Sequence, residues 1–362
     1  AETTPLKVGD TLYLCSARNV LIALDARTGR QRWRYDPQVS DDWIPYTAAC
    51  RGVAYYDTAS SGQAQPAAGG VAAPAPTPPP VAASAAPCAT RIIEGTLDGR
   101  LIAVDARTGR LCAGFGVNGA VDIKAGMGEV IPGMVSITSA PTIVRGVIVT
   151  GHQVLDGQYR AAPSGVIKGF DAVTGELRWA WDMTRPDLTG LPPEGQTYTR
   201  GTPNMWTTAT GDEALGLVYL PMGNSAADYY SSQRSAPENQ YATSLVALDV
   251  NTGRPAWSFQ TVHRDVWDYD LGSQATLIDY PSNGGLTPAI LLPSKQGDLY
   301  ILDRLTGRPL TGVQERPVPQ GGVEPSQRSR TQPFSLFHTL ARPMLRERDM
   351  WGMSPIDQMV CR

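Results

Sequence analysis

The chain has 362 residues, with 31 Lys+Arg against 34 Asp+Glu and a formal net charge of −3. This near balance argues against a nucleic-acid binder, which carries a basic stripe, and no apolar run reaches the roughly 18–20 residues of a membrane span. Gly 37 and Pro 30 are high for a helical protein, and His152, His263 and His338 form no spaced Cys/His cluster that would suit structural zinc.

Read from the N-terminus, one pattern keeps returning: two apolar residues, Asp, two variable residues, Thr-Gly, a basic or polar pair and often Trp. It appears as ALDARTGRQRW (23–33), AVDARTGRLCA (103–113), GFDAVTGELRW (169–179), ALDVNTGRPAW (247–257) and ILDRLTGRPLT (301–311). Each copy predicts a hairpin. A β-rich run ends at Asp25, Asp105, Asp171, Asp249 or Asp303, whose carboxylate can bond nearby backbone N–H groups, and Thr-Gly supplies a turn in which Gly accepts positive φ. Further short β-rich runs between the copies, such as 146–151 and 215–221, bring the count to about four strands per repeat. Repeats of that kind, stacked radially, make an all-β propeller.

Between the first two copies lies an Ala/Pro-rich stretch, 59–87, too poor in large apolar groups to pack; it reads as a disordered surface insert. The cysteines, Cys15, Cys50, Cys88, Cys112 and Cys361, contain no CxxC pair. They fit buried small hydrophobes or one or two disulfides of an exported protein. Cys50 and Cys88 bracket the insert, and a bridge between them would add about 4 kcal/mol in the chain-entropy account.

The repeats with their terminal Trp resemble the tryptophan-docking motifs of the pyrroloquinoline quinone (PQQ) dehydrogenases, and the likeness runs over essentially the whole chain. It is nearest to the membrane-bound glucose/quinate/shikimate branch, through TSAPTI (138–143), SGVIKGFDAVTGELRWAWD (164–182), NMWTTA (204–209), VYLPMGNS (218–225), QTVHRDVWDYDLGSQ (260–274), PSKQGDLYILDR (293–304) and WGMSPIDQMVCR (351–362). The resemblance implies an eight-bladed quinoprotein propeller, here incomplete, with residues 1–362 as one partial propeller domain. The family's membrane helices and later blades are expected to be missing from it.

The same resemblance assigns a site. Asp268, directly after Trp267, matches the general base that takes a proton from the substrate hydroxyl. In Trp267-Asp268-Tyr269-Asp270 two carboxylates flank an aromatic, one expected to point inward and the other out or sideways. Lys295, one of four lysines, matches the cation that holds a quinone oxygen. Trp206 matches the ring on which PQQ rests, Thr138 a residue bonding the cofactor, and Arg51 a partner for a PQQ carboxylate. Asp156 and Asn224 match the oxygen ligands of a bound Ca2+ or Mg2+. Two positions depart from the pattern. Close relatives often carry Asp-Asn where this chain has Asp156-Gly157, and glucose-oxidising relatives have His where this chain has Thr47.

The implied activity is PQQ-dependent oxidation of a sugar or cyclic polyol, glucose to gluconolactone first, on the periplasmic side of the bacterial inner membrane, with electrons passing to ubiquinone through the missing membrane domain. Quinate or shikimate is the alternative substrate. A non-catalytic propeller scaffold, as in the outer-membrane barrel-assembly lipoprotein with similar repeats, is the alternative outside enzymes.

Overall fold

The computed structural model describes residues 3–59, 86–157, 159–282, 284–341 and 346–362, so nearly all of the expected Ala/Pro-rich insert lies outside the described residues. Among the described residues, five antiparallel four-stranded sheets follow one another along the chain. The first is Leu6–Val8, Thr11–Cys15, Leu21–Asp25 and Gln31–Tyr35; the second is Ala54–Asp57, Thr90–Gly95, Arg100–Asp105 and Ala120–Asp122. The third is Thr142–Val144, Val147–Thr150, Ile167–Asp171 and Leu177–Trp181; the fourth is Thr210–Asp212, Leu217–Pro221, Ser244–Asp249 and Pro255–Gln260. Thr276–Ser282, Gly285–Pro293, Asp298–Asp303 and the short His338–Thr339 make the fifth.

The inner strands of the middle sheets are apolar on both faces because those sheets are covered on both sides, whereas the first and fifth sheets pack on one side and alternate. In Thr90–Gly95, Ile92 packs with Tyr13 and Trp33 of the first sheet, while its neighbour Ile93 packs with Ile148 and Phe170 of the third. Side chains that alternate at period two thus serve two interfaces. The same holds further along: Val218 and Leu220 join Val149 and Trp179, whereas Leu217 and Tyr219 join Ile290, Leu292 and Tyr300. Five successive propeller blades result.

The repeated Asp-x-x-Thr-Gly is the turn between the third and fourth strands of each blade. Asp25 Oδ1 accepts from Arg27 N at 3.1 Å, Thr28 N at 2.8 Å and Thr28 Oγ1 at 2.8 Å. Asp105, Asp249 and Asp303 repeat all three bonds, and Asp171 repeats the two backbone ones. The glycine has two reasons to be there. Gly253 has φ +68°, and a Cβ on it would sit 2.4 Å from the indole of Trp179, which lies in the preceding blade. Trp179 Nε1 then donates to Val250 O at 2.6 Å, just past Asp249. Trp33 does the same to Ala106 O at 2.9 Å and Trp257 to Arg304 O at 3.2 Å.

The second repeat has no Trp, and the structure fills the gap with another donor. Arg91 Nη1 bonds Ala172 O at 3.1 Å, the carbonyl equivalent to those used by the indoles, while Phe115 and Val121 pack over Gly175. The two copies that lack Trp, at Asp105 and Asp303, also depart from the expected immediate return strand. After Asp303 the chain forms a separate hairpin, Val313–Pro317 with Thr331–Ser335, before closing the blade at His338–Thr339.

The disulfides are Cys15–Cys50 and Cys88–Cys112, so the expected Cys50–Cys88 bridge is corrected. Bracketing an insert in sequence does not bring two thiols together. Cys50 returns to the first blade beside Cys15, while Cys88 enters the second blade beside the turn that carries Cys112. Cys361 is free and exposed. Thiol titration of the unreduced, unfolded chain should therefore count one thiol of five cysteines. Trp179→Ala removes a fully buried indole and its bond, and urea unfolding should show a loss of about 3–5 kcal/mol. Trp179→Phe, which keeps a ring, should lose substantially less.

Candidate active site

The segment after the fourth blade is organised by a carboxylate that never reaches solvent. Asp265 is fully buried and accepts from Trp267 N at 2.8 Å, Tyr269 N at 2.7 Å and Thr243 Oγ1 at 2.8 Å. This grip holds Asp268 at φ +61°, a left-handed conformation that Asp tolerates but that costs of order 1–3 kcal/mol. The two carboxylates of Trp267-Asp268-Tyr269-Asp270 do diverge. Asp270 is 8% exposed, while the Asp268 side chain is 38% exposed.

Asp270 joins the site together. Its Oδ2 accepts from Trp206 Nε1 at 2.9 Å and its Oδ1 from Asn224 N at 2.6 Å. Trp206 is held from behind by Thr138 Oγ1 and Ser139 Oγ, which donate to its carbonyl at 3.0 and 2.7 Å. The indole crosses Gly272 so closely that a Cβ there would lie 2.9 Å from it. Arg51, next to the disulfide-bonded Cys50, places its guanidinium 5.3 Å from the centroid of the Trp206 ring. A flat ligand on that face would displace the guanidinium, and a ligand bearing carboxylates would give it a new partner. Lys295 Nζ donates to Asp268 O and lies 3.4 Å from Asp268 Oδ2. This pair is open to water, so it adds little to stability.

Asn224 is buried, its amide donating to the carbonyls of Asp228 and Asp265 at 3.2 and 3.3 Å. Asp156 is half-buried, and its carboxyl is pushed up to about 7 by burial and by the charges of Asp270 and Asp268. Asp228 reaches about 8, through burial and then through Asp156, Asp270 and Asp268. Burial and Asp268 raise Asp270 as well, against the hydrogen bonds from Trp206 and Asn224. The donor set is thus hard oxygen with excess negative charge, which fits a divalent cation. The structure brings Asp156, Asn224, Trp206, Thr138, Arg51, Lys295 and Asp268 near one another from several blades, although the Thr138 hydroxyl is spent on Trp206 O. Asp228, which carries no local signal in Ala226-Ala227-Asp228, and Asp270 join them without having been assigned a role from sequence.

With this geometry in hand, comparison with known proteins decides the family. The β-propeller domain family of PQQ-dependent glucose, ethanol and alcohol dehydrogenases matches residues 1–362. The chain belongs to this quinoprotein dehydrogenase family. It is 52% identical to the glycerol dehydrogenase large subunit of Gluconobacter oxydans (strain 621H), with all of this chain and 46% of that protein aligned. It is 41% identical to the quinate/shikimate dehydrogenase (quinone) of Acinetobacter baylyi and 41% to the quinoprotein glucose dehydrogenase of Escherichia coli K12, covering 44% and 43% of those proteins. The chain therefore spans under half the length of these relatives. Among solved structures it resembles the quinohemoprotein alcohol dehydrogenase of Comamonas testosteroni, at TM-score 0.64 and 25% identity, over 93% of this chain and 46% of that one. Among the described residues no helix is long and apolar enough to cross a membrane.

The raised carboxyls set a pH dependence for the protein without added cation. A carboxyl whose folded value lies above its unfolded one stabilises the fold only while protonated, and that stability is lost as pH rises through the folded value. Melting temperature should accordingly fall between pH 5 and 8.5 in EDTA, and millimolar Ca2+ should reverse most of the fall. Asp156→Asn should flatten the EDTA profile.

Proposed function

We propose that this chain forms the substrate face of a quinoprotein dehydrogenase that oxidises a hydroxyl of a polyol. The carrying observation is the convergence of Asp268, Lys295, Trp206, Asp270 and Asn224 on one place from separate blades. PQQ, when bound, would supply the electrophilic carbonyl that accepts hydride from the carbinol carbon.

In this reading Asp268 takes the hydroxyl proton on its carboxylate, the half-open position of that side chain giving it access to substrate. Lys295 would hold a cofactor oxygen on which charge develops, its ammonium kept in place by donation to Asp268 O. Trp206 sets the plane of the ring, its own tilt fixed by Asp270, Thr138 and Ser139. Arg51 pairs with a cofactor carboxylate. Asp156 and Asn224 would hold Ca2+ or Mg2+, a hard cation whose charge would offset the carboxylates and supply Lewis acidity. Two disulfides support an oxidising compartment, the periplasmic side of the inner membrane. A membrane quinone such as ubiquinone is the electron acceptor that fits that place.

An acyclic polyol stands ahead of glucose as substrate because the 52% relative is a glycerol dehydrogenase, whereas the glucose and quinate enzymes stand at 41%. The exposed Thr47 removes the His that glucose-oxidising relatives place there, which points the same way. With PQQ and Ca2+ supplied to the native protein carrying this chain, dye-coupled oxidation should give higher kcat/KM for glycerol or another acyclic polyol than for glucose or quinate. Asp268→Asn should lower kcat by about 100-fold or more, while quenching of Trp206 fluorescence by PQQ stays intact. Unchanged turnover in Asp268→Asn would overturn the proposed site.

A further inference from the structure

One carboxylate at this site is left without a use. Asp228 is 6% exposed, and its Oδ1 has no hydrogen-bond partner among the described residues. A buried, unpartnered carboxylate oxygen is costly, several times the cost of a lost neutral hydrogen bond. The obvious counter-ion does not take it. Arg234 turns its Nη donors to carbonyls instead, Nη2 on Ala227 O at 2.9 Å and Asp228 O at 2.8 Å, and Nη1 on Asp265 O.

What Asp228 faces is more negative charge, with Asp156 first, then Asp270 and Asp268. The loops carrying Asp156 and Asp228 are tied together, Gly157 N donating to Ala226 O at 3.2 Å. At the junction Gly157 has φ +66° and open space where a Cβ would be, and a cavity of about 280 Å³ lies there, lined by Gly157, Arg160, Ala226, Asp228 and Tyr229 among others. Position 157 thus contributes no side-chain oxygen, while Asp228, with its unpartnered Oδ1, lines the same cavity.

We propose that Asp228 is a further carboxylate ligand of the divalent-cation site, its unpartnered Oδ1 completing, from the neighbouring loop, a coordination shell to which Gly157 can give no side chain. The proposal rests on the quinoprotein reading only in taking Asp156 and Asn224 as the other ligands. Asp156 and Asp228 would give the shell two negative charges, with Asp270 and Asp268 adding to the field and Arg234 and Lys295 partly offsetting it. The shell therefore favours a small, hard, strongly charged ion over a monovalent one.

Calorimetric titration of the chain with Ca2+, free of PQQ, tests this without turnover. Asp228→Asn keeps the backbone carbonyl that Asn224 and Arg234 use, so it should fold, with a melting temperature in EDTA equal to or above that of the unsubstituted chain. Its Ca2+ affinity should fall 10-fold or more, with loss of most of the Ca2+-induced rise in melting temperature. Asp228→Glu should retain more affinity than Asp228→Asn. Equal Ca2+ affinity in Asp228→Asn and the unsubstituted chain would overturn the role of Asp228 and leave the wider reading standing. Failure of the unsubstituted chain to bind Ca2+ would overturn the cation site and this proposal together, whereas PQQ quenching of Trp206 fluorescence would still report on the cofactor face alone.

Discussion

The contact on which the molecule depends is one N–H donated across each blade interface to the carbonyl that follows the turn aspartate. Three times the donor is an indole, of Trp33, Trp179 or Trp257, and once it is the guanidinium of Arg91. A single such bond is worth about 1 kcal/mol net, but the ring that delivers it also covers the Thr-Gly turn and buries a large apolar area. Geometry matters as much as energy. The bond fixes the angle between neighbouring blades, and that angle decides whether side chains from different blades reach a common point.

The site uses this rigidity to hold a charge arrangement that would not assemble by itself. Asp265 satisfies its own oxygens on Trp267 N, Tyr269 N and Thr243, and so shapes the chain instead of repelling ligands. Asp270 likewise ties Trp206 to Asn224. Asp156 and Asp228 are the opposite case: half-buried and buried carboxyls with little to balance them, raised toward neutrality by desolvation and by the charges of Asp270 and Asp268, with Asp156 adding to the field at Asp228. Such an arrangement is unfavourable for stability and suited to a cation, a pattern expected where function rather than folding selects the residues.

Some of this was legible beforehand for local reasons. The Asp-x-x-Thr-Gly turns are set by bonds spanning two or three residues and by the positive φ of Gly29, Gly109, Gly175, Gly253 and Gly307, all within 68–74°. The divergence of Asp268 and Asp270 has another cause, since residues two apart on a strand share a face: the left-handed turn at Asp268 sends the two carboxylates apart. The cysteine pairing was not legible, because partners 35 and 24 residues apart are brought together by the order in which strands enter a blade. Nor was the substitution of Arg91 for a missing indole, since nothing near Arg91 in the chain marks the carbonyl of Ala172 as its partner.

The amino-acid order by itself determined the repeat, the blade hairpins and the chemical types gathered in the motifs, because each is decided within a few residues by backbone preference and side-chain period. Only the tertiary structure decided which oxygens are free. Thr138 looks like any hydroxyl until Trp206 O is seen to accept from it, and Asp228 looks like a surface acid until the loops close over it. Hydrogen-bond satisfaction and desolvation are properties of a surrounding volume, and in this fold that volume is enclosed by segments far apart along the chain.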